Sequence, residues 1–273
     1  MTNEKISLEI IKNNLLKNIS DKFNINYKDL LFELNDLSHL FTTRSRYECN
    51  HYFFSKDNEA SFYWAGFLAA DGCLYKKQNS KRLILSLAEK DLSHVQLLKN
   101  TLNYSGPISK SITKHSLTNS KWKDSIKHTI CISSSQLFDD LNRFNLTQRK
   151  THIYDMPNWL ITHKLVNHFI RGYFDGDGCI TFSKLPRKAE INIRGTISVL
   201  TQFMNIFENN LHINSKTRPK INSGFGMLKY SGNIICTEIK DYLYNDSTIY
   251  LKRKYDLCQS IVVTRKKYLN RKL

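Results

Sequence analysis

Polar and apolar residues alternate with great regularity between Glu190 and Val199. Glu190, Asn192, Arg194, Thr196 and Ser198 interleave there with Ile191, Ile193, Gly195, Ile197 and Val199. A period of two sends alternate side chains to opposite sides of a pleated strand. The run therefore predicts a strand with one apolar face and one polar, cation-bearing face. Leu83, Leu85 and Leu87 predict a second such strand, with Arg82 and Ser86 on its far side. Shorter runs predict strands at 107–115, 126–132, 216–221 and 225–231. Apolar residues spaced three or four apart predict helices over 91–103 and 201–211, with others near 134–144 and 232–244. Two further helices are expected from about Phe62 to Asp71 and from His163 to Asp177, each ending at an Asp-Gly pair from which a strand departs.

These elements recur. Residues 63–74 read YWAGFLAADGCL and residues 169–180 read FIRGYFDGDGCI, aligning Gly66 with Gly172, Asp71 with Asp177, Gly72 with Gly178 and Cys73 with Cys179 at an offset of 106. A second echo, LTQRK at 146–150 and IYLKRK at 249–254, follows at nearly the same distance. Each copy reads α-β-β-α-β-β-α, an α+β unit whose antiparallel sheet carries helices on one face and leaves the other polar and open. The expected organisation is a helical extension with a linker at 1–55, units at 56–158 and 159–260, and a basic tail at 261–273. Apolar spacing from Ile19 to Leu34 fits a helix-turn-helix with Asn24 at the turn. Asp29 and Glu33 on its second helix predict a packing appendage instead of a DNA reader, and 42–51 reads as linker.

The paired helices carry the chemistry. Gly66 and Ala70 lie four apart, as do Gly172 and Gly176, so each pair shares one helical face. Glycine inside a helix costs about 1 kcal/mol against alanine, and close approach of a second helix is the usual reason for it. These faces predict that the two helices pack together across a pseudo-twofold axis. Asp71 and Asp177 then sit at the negative ends of the helix dipoles, each before a glycine suited to a C-terminal cap. Two like charges brought together there are relieved by divalent cations, and hard oxygen ligands suit Mg²⁺. Two acids astride a twofold axis also suit two-metal chemistry on strands of opposite polarity.

Charge points to the partner. The chain has 41 Lys and Arg against 24 Asp and Glu, a formal charge of +17. Residues 1–60 hold 8 basic and 9 acidic side chains, so the whole excess lies beyond residue 60. Such an excess suits a polyanion, because each neutralised phosphate releases a condensed counterion. The six cysteines form no C-x-x-C, which argues against structural zinc and disulfide frameworks and fits a reducing compartment. Cys49 and His51 read as packing residues. Glu4, Glu9 and Lys12 interrupt any secretory signal, and the apolar run from Phe62 to Ala70 is too short to span a bilayer, so a soluble intracellular protein is expected.

WAGFLAADG (64–72) and IRGYFDGDG (170–178) resemble the signature helices of LAGLIDADG homing endonucleases of the single-chain, two-motif type, and the resemblance covers about residues 60–260. It implies two αββαββα units packed through the motif helices, with sheets forming a saddle on the DNA major groove. It further implies a monomer that cuts a long asymmetric duplex with Mg²⁺ or Mn²⁺, as mobile elements do in intron homing. The metal site is expected at the acids Asp71 and Asp177 together with Gly72 and Gly178. Lys150 and Lys254 resemble the basic residues that the family places near the scissile phosphates. Glu89 resembles the polar strand residue that supports metal-bound water. The first copy departs at the sixth motif position, with Ala69 where the second has Asp175; the family's principal metal ligand lies elsewhere.

The expected DNA contacts are Lys81, Arg82, Ser86, Lys127 and Thr129 in the first copy. In the second they are Lys188, Glu190, Asn192, Arg194, Thr196 and Ser198, with Lys216, Arg218 and Lys220 extending the surface or holding phosphate. Arg can grip guanine and Asn adenine in the major groove, and two such sheets imply a target of roughly 20 bp. Arg265, Lys266, Lys267, Arg271 and Lys272 are expected to add nonspecific phosphate affinity. Two other readings stay open, an RNA maturase acting on intron RNA and a non-cutting DNA-binding regulator. The presence of both acids weighs toward the nuclease. The ends MTNE and RKL lack the splice-junction residues of an intein, and richness in Asn, Lys and Ile suggests an AT-rich genome, bacterial, phage or organellar.

Overall fold

The computed structural model describes residues 17, 18, 21, 22, 47–78, 80–114, 124–183, 188–211, 213, 217–222 and 224–262. The chain divides into two compact units, Met1–Arg46 and Tyr47–Leu273. In the first, Lys17, Asn18, Asp21 and Lys22 are helical and exposed. The rest of the expected helix-turn-helix segment, Lys216 and the basic tail from residue 263 onward lie outside the described residues.

The second unit contains the two copies in the expected order. In the first copy, α1 (Glu59–Asp71) runs directly into β1 (Gly72–Lys77). Then come β2 (Ser80–Ala88), α2 (Leu92–Thr101), β3 (Ile108–Thr113), β4 (Ser125–Ser133) and α3 (Ser135–Asn142). A single turn, α4 (Asn158–Ile161), leads to the second copy. This comprises α5 (Val166–Asp177), β5 (Gly178–Phe182), β6 (Ala189–Gly195), α6 (Ile197–Leu211), β7 (Lys220–Asn222), β8 (Phe225–Ser231), α7 (Asn233–Tyr244) and α8 (Lys252–Gln259). Both sheets are antiparallel and share one topology, β1-β2-β4-β3 and β5-β6-β8-β7.

Local chemistry explains the boundaries. Asn58 caps α1 by accepting from Ser61 N at 2.9 Å while the Ser61 hydroxyl returns to the Asn58 amide, a capping box that satisfies two otherwise unpaired donors. In the first sheet Leu83, Leu85, Leu87, Ile130 and Ile132 are buried with Val95 and Leu98 of α2 and Leu137 and Leu141 of α3. In the second, Ile191, Ile193, Leu228 and Tyr230 are buried with Leu200, Phe203 and Phe207 of α6 and Ile239 and Leu243 of α7. Each such side chain contributes about 1.5–3 kcal/mol by leaving water. The opposite sheet faces stay open.

The helices α1 and α5 pack along their length at the centre of this unit. Nine consecutive residues of α1, Ser61 to Ala69, are buried, as expected of a helix covered on all sides. A Cβ on Gly66 would fall on the Phe169 carbonyl and stand 3.0 Å from Tyr173 N. One on Gly172 would fall on the Tyr63 carbonyl and stand 2.7 Å from Phe67 N. Tyr63 and Phe67 are the repeat partners of Phe169 and Tyr173, so the two contacts are related by the pseudo-twofold axis.

The structure corrects four expectations. The strand that starts near Glu190 stops at Gly195 and does not reach Val199. Thr196 instead caps α6, its hydroxyl accepting from Val199 N at 3.1 Å and donating to the Tyr154 carbonyl. The sequence alternation continues past the strand, but in space the first helical turn breaks it: Ile197 and Ser198 both face outward and Val199 inward. The strand expected over 216–221 is described only as Lys220–Asn222. Gly72 and Gly178 adopt extended backbone, φ −79° and −86°, and so are not left-handed caps. Glycine is needed because the chain turns so sharply into the strand that a Cβ would press on the Leu68 or Phe174 carbonyl. Finally, the packed unit begins at Tyr47: Asn50 N bonds Leu102 O at 2.7 Å, and Phe53 and Phe54 are buried.

Candidate active site and nucleic-acid interface

Asp71 and Asp177 are the last residues of α1 and α5, brought together by the glycine contacts. A Cβ on Gly176 would touch Ala70 Cβ and stand 3.3 Å from Asp71 Oδ2, which shows how closely the two helix ends approach. Neither carboxylate accepts a hydrogen bond among the described residues. Burial, followed by the charge of Asp71, pushes Asp177 up to about 6 against the opposing pull of Lys254, Lys150 and Arg194. Asp71 still reaches solvent, yet loss of hydration raises it too, with Asp91 adding to the shift and Lys254, Lys150 and Arg253 opposing it.

The expected lysines are placed around this pair. Lys150 opens a short 3-10 turn after Arg149, whose φ is 57°, and donates to the Gly72 carbonyl at 2.7 Å. Lys254, in the first turn of α8, donates to the carbonyls of Phe174 and Gly176 at 2.8 and 2.9 Å. Both are buried, at 6% and 4% exposure. Each ammonium binds the negative end of a motif helix, where a cation is favourable, and leaves the carboxylates without a direct partner. Burial lowers Lys254 to about 8 and also lowers Lys150. Both shifts are opposed by nearby carboxylates, Asp175 first for Lys254 and Asp177 first for Lys150.

Glu89 does not join them. It lies half-exposed in the 3-10 turn Glu89–Asp91, facing His128 at 3.6 Å and Lys110 at 3.9 Å. The acid that acts on Asp71 is Asp91, two residues further on, gripped by Arg253 through bonds of 2.7 and 2.9 Å. Asp91 and Arg253 adjoin Lys90 and Lys254 in sequence, but only the tertiary contact between copies distinguishes them. A buried network, which has no local signature in the sequence, lies behind the site. Asp175 accepts from Tyr63 OH (2.8 Å), Tyr244 OH (2.6 Å) and Leu251 N (2.7 Å), and His94 Nε2 lies 2.9 Å from the Tyr63 hydroxyl. Arg171, fully buried, donates to the carbonyls of Ile249 and Leu243 and to Glu59 at 2.6 Å. Glu59 in turn holds Thr248 by its amide and hydroxyl.

The strand registers sort the expected DNA contacts. Pairings Tyr75↔Arg82, Arg82↔Ser133, Ser86↔Thr129 and Ala88↔Lys127 put Arg82, Ser86, Lys127 and Thr129 on the open face of the first sheet, with Thr129 Oγ1 donating to Ser86 Oγ at 2.8 Å. In the second sheet Thr181↔Glu190, Asn192↔Lys229, Arg194↔Met227 and Lys220↔Met227 do the same for Glu190, Asn192, Arg194 and Lys220. Lys188 is exposed just ahead of β6. Glu190 is engaged by Lys229 at 2.8 Å and by Ser231.

Lys81 shares the parity of Leu83, so it points to the helix layer and pairs with Asp139 of α3 at 2.5 Å. Arg218 likewise turns to Glu208 of α6 at 3.0 Å. Thr196 and Ser198 belong to the start of α6 and are not on the strand face. Cys73, Tyr75, Thr181 and Lys229, not anticipated as contacts, share the open faces. All six cysteines are free, and His51 bonds Ser134 Oγ at 2.8 Å. No helix among the described residues is long and apolar enough to cross a membrane.

No protein-family model matches the chain, and no curated protein matches it in sequence. Solved structures match it in fold. The homing endonuclease I-WcaI bound to its DNA recognition sequence superposes with a TM-score of 0.56 at 15% identity, over 75% of this chain and 90% of that one. Meganuclease I-SmaMI bound to uncleaveable DNA with a TTCT central four gives 0.50 at 14% identity, over 77% and 95%. The same meganuclease with a TTGT central four gives 0.50 at 14%, over 79% and 94%. The chain therefore has the LAGLIDADG homing endonuclease fold.

Proposed function

We propose that the protein is a site-specific double-strand DNA endonuclease that acts as a monomer with divalent metal ions. The observation that carries this reading is the pairing of Asp71 and Asp177, two carboxylates without hydrogen-bond donors held together at the ends of glycine-packed helices. Left to themselves they repel each other at the negative ends of two dipoles, an arrangement that a cation relieves. The donor set fits Mg²⁺ or Mn²⁺: it is all hard oxygen. Ions of this kind are bound through one or two carboxylates and keep water and phosphate in their remaining positions. When bound, the metal supplies Lewis-acid activation of a phosphodiester.

The chain's own residues supply the rest. Asp71 and Asp177 would hold the ions, one half of the protein serving each DNA strand. Lys150 and Lys254 place positive charge beside both acids, where it stabilises charge developing on a phosphate. The open sheet faces read the duplex. Arg82 and Arg194 have the chemistry for guanine and Asn192 for adenine, while Lys127, Lys188 and Lys220 neutralise phosphate. The DNA-bound state of the solved structures with this fold supports the same reading. A non-cutting regulator or a maturase needs the basic surface but gives the acid pair no role. Selection of cleaved duplexes from a random pool with Mg²⁺ tests the proposal. One long consensus cut by the unmodified protein, and by neither Asp71→Asn nor Asp177→Asn, is expected; cutting that survives both substitutions refutes it.

A further inference from the structure

The two motif helices are related by symmetry, but the segments that deliver the lysines are not. In the second half, Asp175 Oδ2 accepts from Leu251 N at 2.7 Å, and Leu251 is the N-cap residue of α8. Three residues on, the Lys254 ammonium returns to the carbonyls of Phe174 and Gly176, which flank Asp175 in sequence. The aspartate holds the start of α8, and the lysine it delivers holds the backbone around the aspartate. Hydroxyls of Tyr63 and Tyr244 complete the carboxylate's shell. One turn earlier, Arg171 binds the Ile249 carbonyl and Glu59 binds the Thr248 and Ile249 amides, so the chain leading to Lys254 is clamped at 248, 249 and 251.

Among the described residues the first half lacks these carboxylate and guanidinium clamps, and the segment that delivers Lys150 is tied down instead by Gln148 Nε2, which donates to the Lys76 carbonyl at 2.9 Å. Ala69 occupies the position of Asp175 and Ala65 that of Arg171. Lys150 bonds one carbonyl, that of Gly72, from a 3-10 turn rather than an α-helix, entered through Arg149 at a φ of 57°. A group fixed in advance loses less freedom on reaching the transition state than one that is loosely held.

We propose that Asp175 is a positioning residue for Lys254, and that the two halves consequently cut their strands unequally, the strand served by Lys254 first. The inference rests on the endonuclease reading above and deepens it. Plasmid carrying the selected target, with each strand separately end-labelled downstream of the cut, is the substrate, and single-turnover rates at saturating protein are read for both strands. For the unmodified protein a nicked circle broken in one defined strand is expected to precede the linear form.

Lys254→Met and Lys150→Met identify which strand each lysine serves. Asp175→Asn is expected to slow the Lys254 strand about tenfold, and Tyr244→Phe to slow it less, while the Lys150 strand and the affinity for target in Ca²⁺ stay within twofold. A general folding defect would lower both strands and the affinity together. Tyr244→Phe retains the carboxylate, so it supplies the same readout should Asp175→Asn fail to fold. Equal strand rates in the unmodified protein, or equal slowing of both strands by Asp175→Asn and Tyr244→Phe, overturns the inference and leaves the endonuclease reading intact. A duplex bound but cut on neither strand by the unmodified protein overturns both.

Discussion

Replacing Gly172 with alanine sets two effects of opposite sign against each other. Alanine in a helix interior is worth about 1 kcal/mol over glycine, so propensity alone would stabilise α5. The added methyl, however, would fall on the Tyr63 carbonyl and stand 2.7 Å from Phe67 N, and both are backbone atoms of a buried helix that no rotamer change can move aside. Restoring ordinary contact requires α1 and α5 to part by on the order of 1 Å, a gap that already forfeits a quarter to a half of the dispersion energy across the seam. Overpacking of this kind costs about 1–3 kcal/mol and lies at the upper end where backbone must shift.

The net expectation is destabilisation by about 1–2 kcal/mol, read as a lower urea midpoint at unchanged slope. Activity should suffer more. Asp71 and Asp177 sit at the ends of the same helices, and a misplacement of about 1 Å can cost roughly 100-fold in rate. Gly66→Ala, which meets Phe169 in the symmetric contact, should behave alike. A Gly172→Ala protein that is more stable by about 1 kcal/mol and cuts at the unmodified rate would refute close helix packing as the origin of the site.

Asp177→Asn should separate stability from activity. A carboxyl raised from 3.8 to about 6 in the folded state binds more protons there than in the unfolded chain between those values. Its contribution is therefore favourable below that window and is lost as pH rises through it. In chelator at pH 7.5 the variant should be more stable by up to about 3 kcal/mol, less after solvent screening, and inactive. A variant less stable than the parent would show that Asp177 is already compensated without metal. Arg171→Met should cost about 3–5 kcal/mol in urea denaturation by breaking the buried bond to Glu59 and freeing the carbonyls of Leu243 and Ile249; a loss under 1 kcal/mol would refute its clamping role. In binding assays, Lys220→Ala should reduce the slope of log affinity against log salt by about 1 without altering the consensus. Arg194→Ala should cost about 1–3 kcal/mol at one base position. Reversal of those two outcomes would exchange their roles.

The repeated pattern in the chain was enough for the architecture. Period-two runs such as Leu83-Leu85-Leu87 and Ile191-Ile193, helical runs between them, and one motif appearing twice at a fixed offset specify two α+β units. A face must be apolar to be buried, and that requirement is written locally. The acid pair and the small-residue seam were legible for the same reason, since glycine in a helix has few explanations. Lys150 and Lys254 were legible as an echo, although their burial and their carbonyl partners were not.

What the tertiary structure alone decided concerns groups whose partners come from elsewhere in the chain. Lys81 and Arg82 are neighbours, and only strand register shows that one faces Asp139 and the other the open side. Glu89 and Asp91 are equally acidic, and only the fold shows that Asp91 is gripped by Arg253 of the other copy while Glu89 faces Lys110 and His128. Thr196 fits a strand pattern until the Tyr154 carbonyl arrives to make it a cap. In sequence, Asp175 against Ala69 is only a departure within a motif, and it is a segment 76 residues away, folding onto it, that makes Asp175 the holder of Leu251. Local sequence determines which face is buried, because hydrophobic periodicity is a property of neighbours. Which polar atom meets which is set by long-range packing, because a hydrogen bond needs both partners in place.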